Sequence, residues 1–200
     1  MKVSLSARVN YSERMTDTDL SRLIADCIAG DDAAVERLVR EYETAVFRLA
    51  LSIVGDAAEA NEITQETFIA ALRSLRSYEE RKSFKAWLYT IALNHARSHL
   101  RKRKILERLR SAASALFKIE NQKRTLPEDR LIQTEEEATL WNELNKLDER
   151  HRIVVVLRYF HELPVTEIAD MLALPEGTVH SRLYTARERL RLSLDPEAGS

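Results

Sequence analysis

Apolar residues recur every third or fourth position from Leu20 to Leu100, and only short polar breaks interrupt them. Leu20, Leu23, Ile24, Cys27 and Ile28 form one such set, ended by Gly30-Asp31-Asp32. Val35, Leu38, Val39, Tyr42, Val46, Leu49 and Ile53 form the next. That spacing keeps one face of an α-helix apolar and is wrong for a strand, whose faces alternate every second residue. Gly55-Asp56 ends the second helix and supplies an N-cap for a third over about Ala57–Leu75. After a polar stretch, Ser77–Ser83, a fourth helix is marked by Phe84, Trp87, Leu88, Ile91, Ala92 and Leu100, and it ends in Arg101-Lys102-Arg103-Lys104. The whole chain holds only 4 Gly and 4 Pro, too few turn residues for an all-β sandwich.

Residues 105–135 carry a weaker pattern. Ile105–Ile119 has helical spacing, but Thr125-Leu126-Pro127 breaks it, and the acids that follow suit a tether. Helical spacing returns with Leu140, Leu144 and Leu147, continues through Ile153–Phe160 and closes with two helices between Val165 and Leu194. The expected architecture is all-α, two small helical domains joined by a flexible linker. Residues 1–17 form a flexible extension, 18–104 the first domain, 105–135 the linker and 136–194 the second domain.

Net charge is −1, but the total conceals blocks of opposite sign. Residues 13–66 carry −8, residues 73–110 carry +9, residues 127–149 carry −6 and residues 150–192 carry +2. A basic block on folded helices is a binding face for polyanions. Within it, Tyr78, Phe84, Trp87 and Tyr89 lie among arginines and lysines, the mixture that holds single-stranded nucleic acid by charge and stacking. Phe84, Trp87 and Leu88 equally fit a helix core, whereas the polar, basic loop Tyr78–Ser83 between two firm helices is better explained by function.

The sharpest local signal is Val165–Tyr184, which reads as a helix-turn-helix. Ile168 and Leu172 face inward, Ala169 allows a close crossing, Leu174 plugs the turn and Pro175 starts the next helix. Val179, Leu183, Ala186 and Leu190 anchor that second helix. Its opposite face presents Ser181, Tyr184 and Thr185, flanked by His180, Arg182, Arg187 and Arg189. Ser, Thr and His can read base edges, and flanking arginines hold phosphates.

Other chemistry finds little support. The one cysteine, Cys27, excludes an internal disulfide and falls on an apolar face, so it reads as core in a reducing compartment. His95 and His99 have a spacing that can bind metal, but no third ligand is evident and a water-facing helix surface explains them. There is no phosphate-binding glycine loop, nucleophile motif or paired catalytic carboxylates, so neither catalysis nor a metal, cofactor or small-molecule substrate is expected. No apolar run reaches the roughly 18 residues of a membrane span, and the N-terminus lacks a signal-peptide core; the expectation is a cytoplasmic protein without membrane insertion.

Three motifs in order resemble the extracytoplasmic-function (ECF) sigma factors, the smallest type in the sigma-70 family of bacterial RNA polymerase. Asn61–Leu72, NEITQETFIAAL, resembles the polymerase-binding helix of region 2. Phe84–Asn94, FKAWLYTIALN, resembles the promoter-melting helix, and Pro175–Leu190 resembles region 4. The resemblance implies that Glu62, Gln65, Glu66, Phe68 and Ile69 bind core RNA polymerase. It implies that the loop with Tyr78, Glu80, Arg81, Lys82 and Ser83, together with Trp87, Asn94, Arg97, Arg101 and Lys102, handles a single-stranded −10 element. Thr178, His180, Ser181, Arg182, Tyr184, Thr185 and Arg187 would read a duplex −35 element. An anti-sigma factor is the implied regulator. Glu62 stands where the family usually has Asp, and His180 and Thr185 stand where relatives are often basic. A conventional helix-turn-helix regulator with an effector or dimerisation domain, and a helical adaptor that binds only proteins, are the competing readings. The basic block 73–110 counts against the regulator, because an effector domain has no need of a nucleic-acid surface.

Overall fold

The structure is a computed structural model that describes residues 16–79, 83–117 and 135–194. The proposed extension up to residue 15, loop residues Glu80, Arg81 and Lys82, and most of the proposed linker lie outside the described residues. Among those described there are eight α-helices and no strand. They are α1 (Asp17–Ala29), α2 (Asp32–Val54), α3 (Ala57–Ser74), α4 (Phe84–Phe117), α5 (Glu135–Lys146), α6 (Glu149–Val155), α7 (Val165–Leu172) and α8 (Glu176–Leu194). No described helix is long and apolar enough to cross a membrane.

The helix ends follow from local chemistry. Thr16 Oγ1 accepts from the Asp19 N–H at 3.2 Å, Asp31 from Ala33 at 2.9 Å and Asp56 from Glu59 at 2.9 Å. Each satisfies a donor that a helix start leaves open. Gly30 and Gly55 stop α1 and α2 in left-handed conformation, at φ 90° and 69°. Glycine, having no Cβ, adopts these angles without the crowding other residues meet.

α1–α4 form the first bundle, with Leu38, Val46, Leu49, Ile53, Ile63, Leu88 and Leu93 fully buried along their facing stripes. Cys27 is buried there as a free thiol, as its apolar face indicates. α4 does not stop at its basic run; it continues to Phe117, a 34-residue helix about 50 Å long. Lys and Arg are good helix formers, so a run of them need not end a helix. Past residue 104, Ile105, Leu106 and Leu109 are exposed.

α5–α8 form the second bundle around Leu144, Ile153, Leu157, Ile168, Val179 and Leu183. The expected helix over Ile153–Phe160 is split: α6 ends at Val155, and Val156–Phe160 continue as a π-helical turn. The turn carries an i→i+5 bond from the His161 N–H to the Val156 carbonyl at 3.1 Å. In the helix-turn-helix, Ala173 ends α7 at φ 51°, and Thr178 and Val179 N–H groups bond the Pro175 carbonyl at the start of α8.

The two bundles pack on each other through α4 and α7 and through α2 with α6 and the π turn. Lys85 Nζ donates to the His161 carbonyl at 2.9 Å, and the buried His161 ring shares a 3.0 Å hydrogen bond with the Tyr89 hydroxyl. At the other end, the C-terminal carbonyls of α2 receive guanidinium groups from both bundles. Arg152 donates to Ile53 at 2.7 Å, and Arg103 donates to Val54 at 3.0 Å. Positive charge there offsets the negative end of the helix dipole.

Candidate polymerase and promoter interfaces

α3 is sorted by its own period. Ile63, Thr67, Phe68 and Ala71 point into the bundle, while Glu62, Gln65 and Ile69 are exposed and Glu66 is partly so. Phe68 is therefore a correction: it is buried against the bundle and supports α3 from beneath, whereas the other four expected docking residues share an outer face. Ile69, at 51% exposure, is an apolar side chain on that face without a covering partner in its own fold.

Glu66 holds a second correction. His95 and His99 do not face only water; His95 Nδ1 and His99 Nε2 both lie 3.1 Å from Glu66 Oε2. Burial alone would raise the Glu66 carboxyl, but hydrogen bonds and charge from His99 and His95 outweigh it and hold the group below the ordinary glutamate range. Sequence spacing on α4 revealed the pair but not the carboxylate on another helix. Among the described residues, no group of three or more His, Cys, Asp or Glu is arranged to hold a metal ion.

At the start of α4, Ser83 Oγ accepts from the Ala86 N–H at 3.2 Å and so caps the helix beside the loop. Four aromatic rings cluster around the start of α4. Tyr78 meets Phe84 at 5.2 Å and Trp87 at 5.4 Å between centroids, and Phe84 also meets Tyr42 at 5.2 Å. Phe84 is core, whereas Tyr78 and Trp87 are half-buried and form the accessible rim of the cluster. Tyr89 departs from the expected aromatic surface: it is fully buried against His161.

Further along α4, Asn94, Arg101 and Lys102 are exposed, and Arg97 is partly exposed. Asn94, Arg97 and Arg101 recur at spacings of three and four and so line one side of the helix, with Lys102 next to Arg101 at its edge. Arg103 turns inward to the α2 carbonyls and to Glu59 Oε2 at 3.3 Å.

On α8 the apolar and polar faces separate as the spacing requires. Val179, Leu183 and Ala186 are buried, while His180, Ser181, Tyr184 and Arg187 are exposed and Thr178, Arg182 and Thr185 are half-exposed. The projecting side chains offer hydroxyls, an imidazole and guanidinium groups on the outer face of a helix whose inner face is packed in its bundle, which suits a major groove. Tyr184 is 62% exposed, a large ring that its own core does not use.

The inter-bundle contacts of Lys85, Tyr89, Arg152 and His161 were not foreseen from sequence. None carried a signal, because the partners are distant in the chain and polar.

Comparison with known proteins fits this division of the chain. The family model for Sigma-70 region 2 matches residues 38–105, and that for Sigma-70 region 4 matches residues 144–192. The chain is 32% identical over 170 residues to the ECF RNA polymerase sigma factor SigW of Bacillus subtilis, covering 82% of this chain and 91% of SigW. It is 33% identical over 187 residues to the RNA polymerase sigma-H factor of Pseudomonas aeruginosa, covering 91% of this chain and 97% of that protein. Among solved structures, CnrH in complex with the cytosolic domain of CnrY matches with TM-score 0.63 and 28% identity, over 88% of this chain and 97% of CnrH. The fold is also that of RpoE, solved with the anti-sigma factor NepR from Bartonella quintana, at TM-score 0.65 and 22% identity over 80% of this chain and 97% of RpoE. Two helical modules in this order, with an acidic face on α3, a basic flank on α4 and a helix-turn-helix behind them, place the chain in the sigma-70 family, among the ECF RNA polymerase sigma factors.

Proposed function

We propose that this chain docks on core RNA polymerase through the outer face of α3 and grips a promoter at two places, opened and paired. The observation that carries the reading is the match of region 2 and region 4 to the two bundles, in that order. Glu62, Gln65, Glu66 and Ile69 supply the docking contacts, with Phe68 holding the helix from below. The loop Tyr78–Ser83 and the rim of Tyr78 and Trp87 receive a base turned out of the −10 element. Unstacking that base costs a few kcal/mol, so a pocket that rewards one base gives selectivity. Asn94, Arg97, Arg101 and Lys102 follow the strand along α4. His180, Ser181, Tyr184 and Thr185 read the −35 duplex, with Thr178, Arg182 and Arg187 fixing helix and phosphates.

The protein is a non-catalytic initiation factor that works in the cytoplasm, where polymerase and promoter are. An anti-sigma factor restrains it, in keeping with the complex in which RpoE, of the same fold, was solved with the anti-sigma factor NepR. The test is to add the purified chain to sigma-free core polymerase and assay transcription from genomic fragments. Promoter-specific transcripts are expected. Tight duplex binding by the free chain, without transcripts, would instead support a conventional regulator.

A further inference from the structure

A carboxylate on a partly exposed helix face ordinarily samples several rotamers, and a partner that needs it in one position must pay for ordering it. Glu66 is restrained beforehand. His99 Nε2 on α4 shares a hydrogen bond with one carboxylate oxygen at 3.1 Å, and His95 Nδ1 lies 3.1 Å from the same oxygen. The rings are the more buried partners, with side-chain exposures of 29% for His95 and 14% for His99 against 43% for Glu66. The group borders a shallow cleft of about 350 Å³ between α3 and α4, whose rim includes the exposed Ile69 together with Arg73 and Lys102.

We infer that His95 and His99 are positioning residues for polymerase docking: they hold the Glu66 carboxylate in place on α3 and tie it to α4. The inference rests on the reading of α3 as the docking helix. It adds a physical link between two tasks, because His95 adjoins Asn94 and His99 lies between Arg97 and Arg101 on the helix that follows the opened strand. A polymerase surface that engages Glu66 thus bears on a side chain already bonded to that helix, not on a free one.

The test is a mutant cycle in the full-length protein, read as affinity for fluorescently labelled core polymerase. Glu66→Ala, His95→Leu with His99→Leu, and all three together are compared. The histidine pair is expected to weaken binding roughly five- to tenfold, the gain from ordering one long side chain. In the triple variant the histidine changes add nothing beyond Glu66→Ala, because the rings act through that carboxylate. His95→Gln with His99→Gln keeps an N–H donor at each position and recovers most of the affinity. Thermal unfolding of each variant separates loss of fold from loss of docking, and if the leucine pair unfolds, His95→Ala with His99→Ala, which also lacks both donors and favours the helix, takes its place with the same expected loss. If Glu66→Ala weakens binding but the histidine changes do not, or if the effects simply add, the positioning role is wrong while the docking helix stands. If Glu66→Ala itself has no effect, docking at Glu66 and the positioning role both fall.

Discussion

Closure of the two bundles depends on a histidine that has to remain uncharged, so acid should open the chain. The His161 ring is buried between them, and that burial, with Lys85 and Arg48 nearby, pushes its pKa from 6.5 down to about 3. Lys85 and Arg48 both belong to the first bundle, so separating the bundles relieves their repulsion and exposes the ring. Between pH 3 and 6.5 the separated state binds more protons than the closed one. Closure is therefore strongest above 6.5 and weakens as pH falls towards 3. At pH 5 the linkage favours opening by about 2 kcal/mol, or about thirtyfold in the ratio of open to closed chain. Opening matters because elements centred at −10 and −35 lie about 85 Å apart at 3.4 Å per base pair, beyond the reach of bundles in contact.

Small-angle scattering of the free protein at pH 7.5 should give a radius of gyration of about 16 Å, the value for a compact chain of this size, and a larger one at pH 5. His161→Phe keeps an aromatic ring without a titrating group and should flatten the change. A radius that stays constant from pH 7.5 to 5, or moves equally in the phenylalanine variant, would refute the role of His161.

Three other outcomes follow from the same geometry. Ala173→Gly should stabilise the protein by about 1 kcal/mol, seen as a higher midpoint in thermal unfolding, because Ala173 holds φ 51° where glycine is unstrained. Changing Arg97 and Arg101 together to Ala should leave core-polymerase affinity in place and reduce promoter opening by the holoenzyme, measured by permanganate footprinting; unchanged opening would remove α4 as the strand-following helix. Tyr184→Ala with Ser181→Ala should weaken binding to −35 duplex within the holoenzyme by about 1–3 kcal/mol for each base pair that is no longer read, while transcription from a promoter that depends on its −10 element changes less.

Most helices were legible because their evidence is local. The apolar spacing of α1–α3 and the caps at Asp31 and Asp56 sit within a few residues of what they control. The same spacing, followed strictly, also turns Phe68 inward beside Ile63 and Ala71; likeness to a family motif names a helix without saying which of its side chains face out. The continuation of α4 was harder to read because Ile105, Leu106 and Leu109 stay exposed outside the core, so no core contact distinguishes that stretch from a tether. The remaining features are polar contacts over long separations. Lys85 reaches a carbonyl 76 residues away, and His99 a carboxylate 33 residues away. Periodicity describes which face of a helix is apolar, but carries no information about which polar group waits on another helix.

The π turn at Val156–Phe160 sets where His161 and its carbonyl meet the first bundle, one of the contacts between the halves of this protein. Such a turn holds one residue more than an α-helix of the same rise. Deleting one residue there would let the backbone return to ordinary winding, rotating everything beyond it by about 100° around the axis. The imidazole at position 161 would then swing off the tyrosine it meets, and the carbonyl that receives Lys85 would leave with it. The winding of these five residues thus helps to hold this chain shut, although none of them faces DNA.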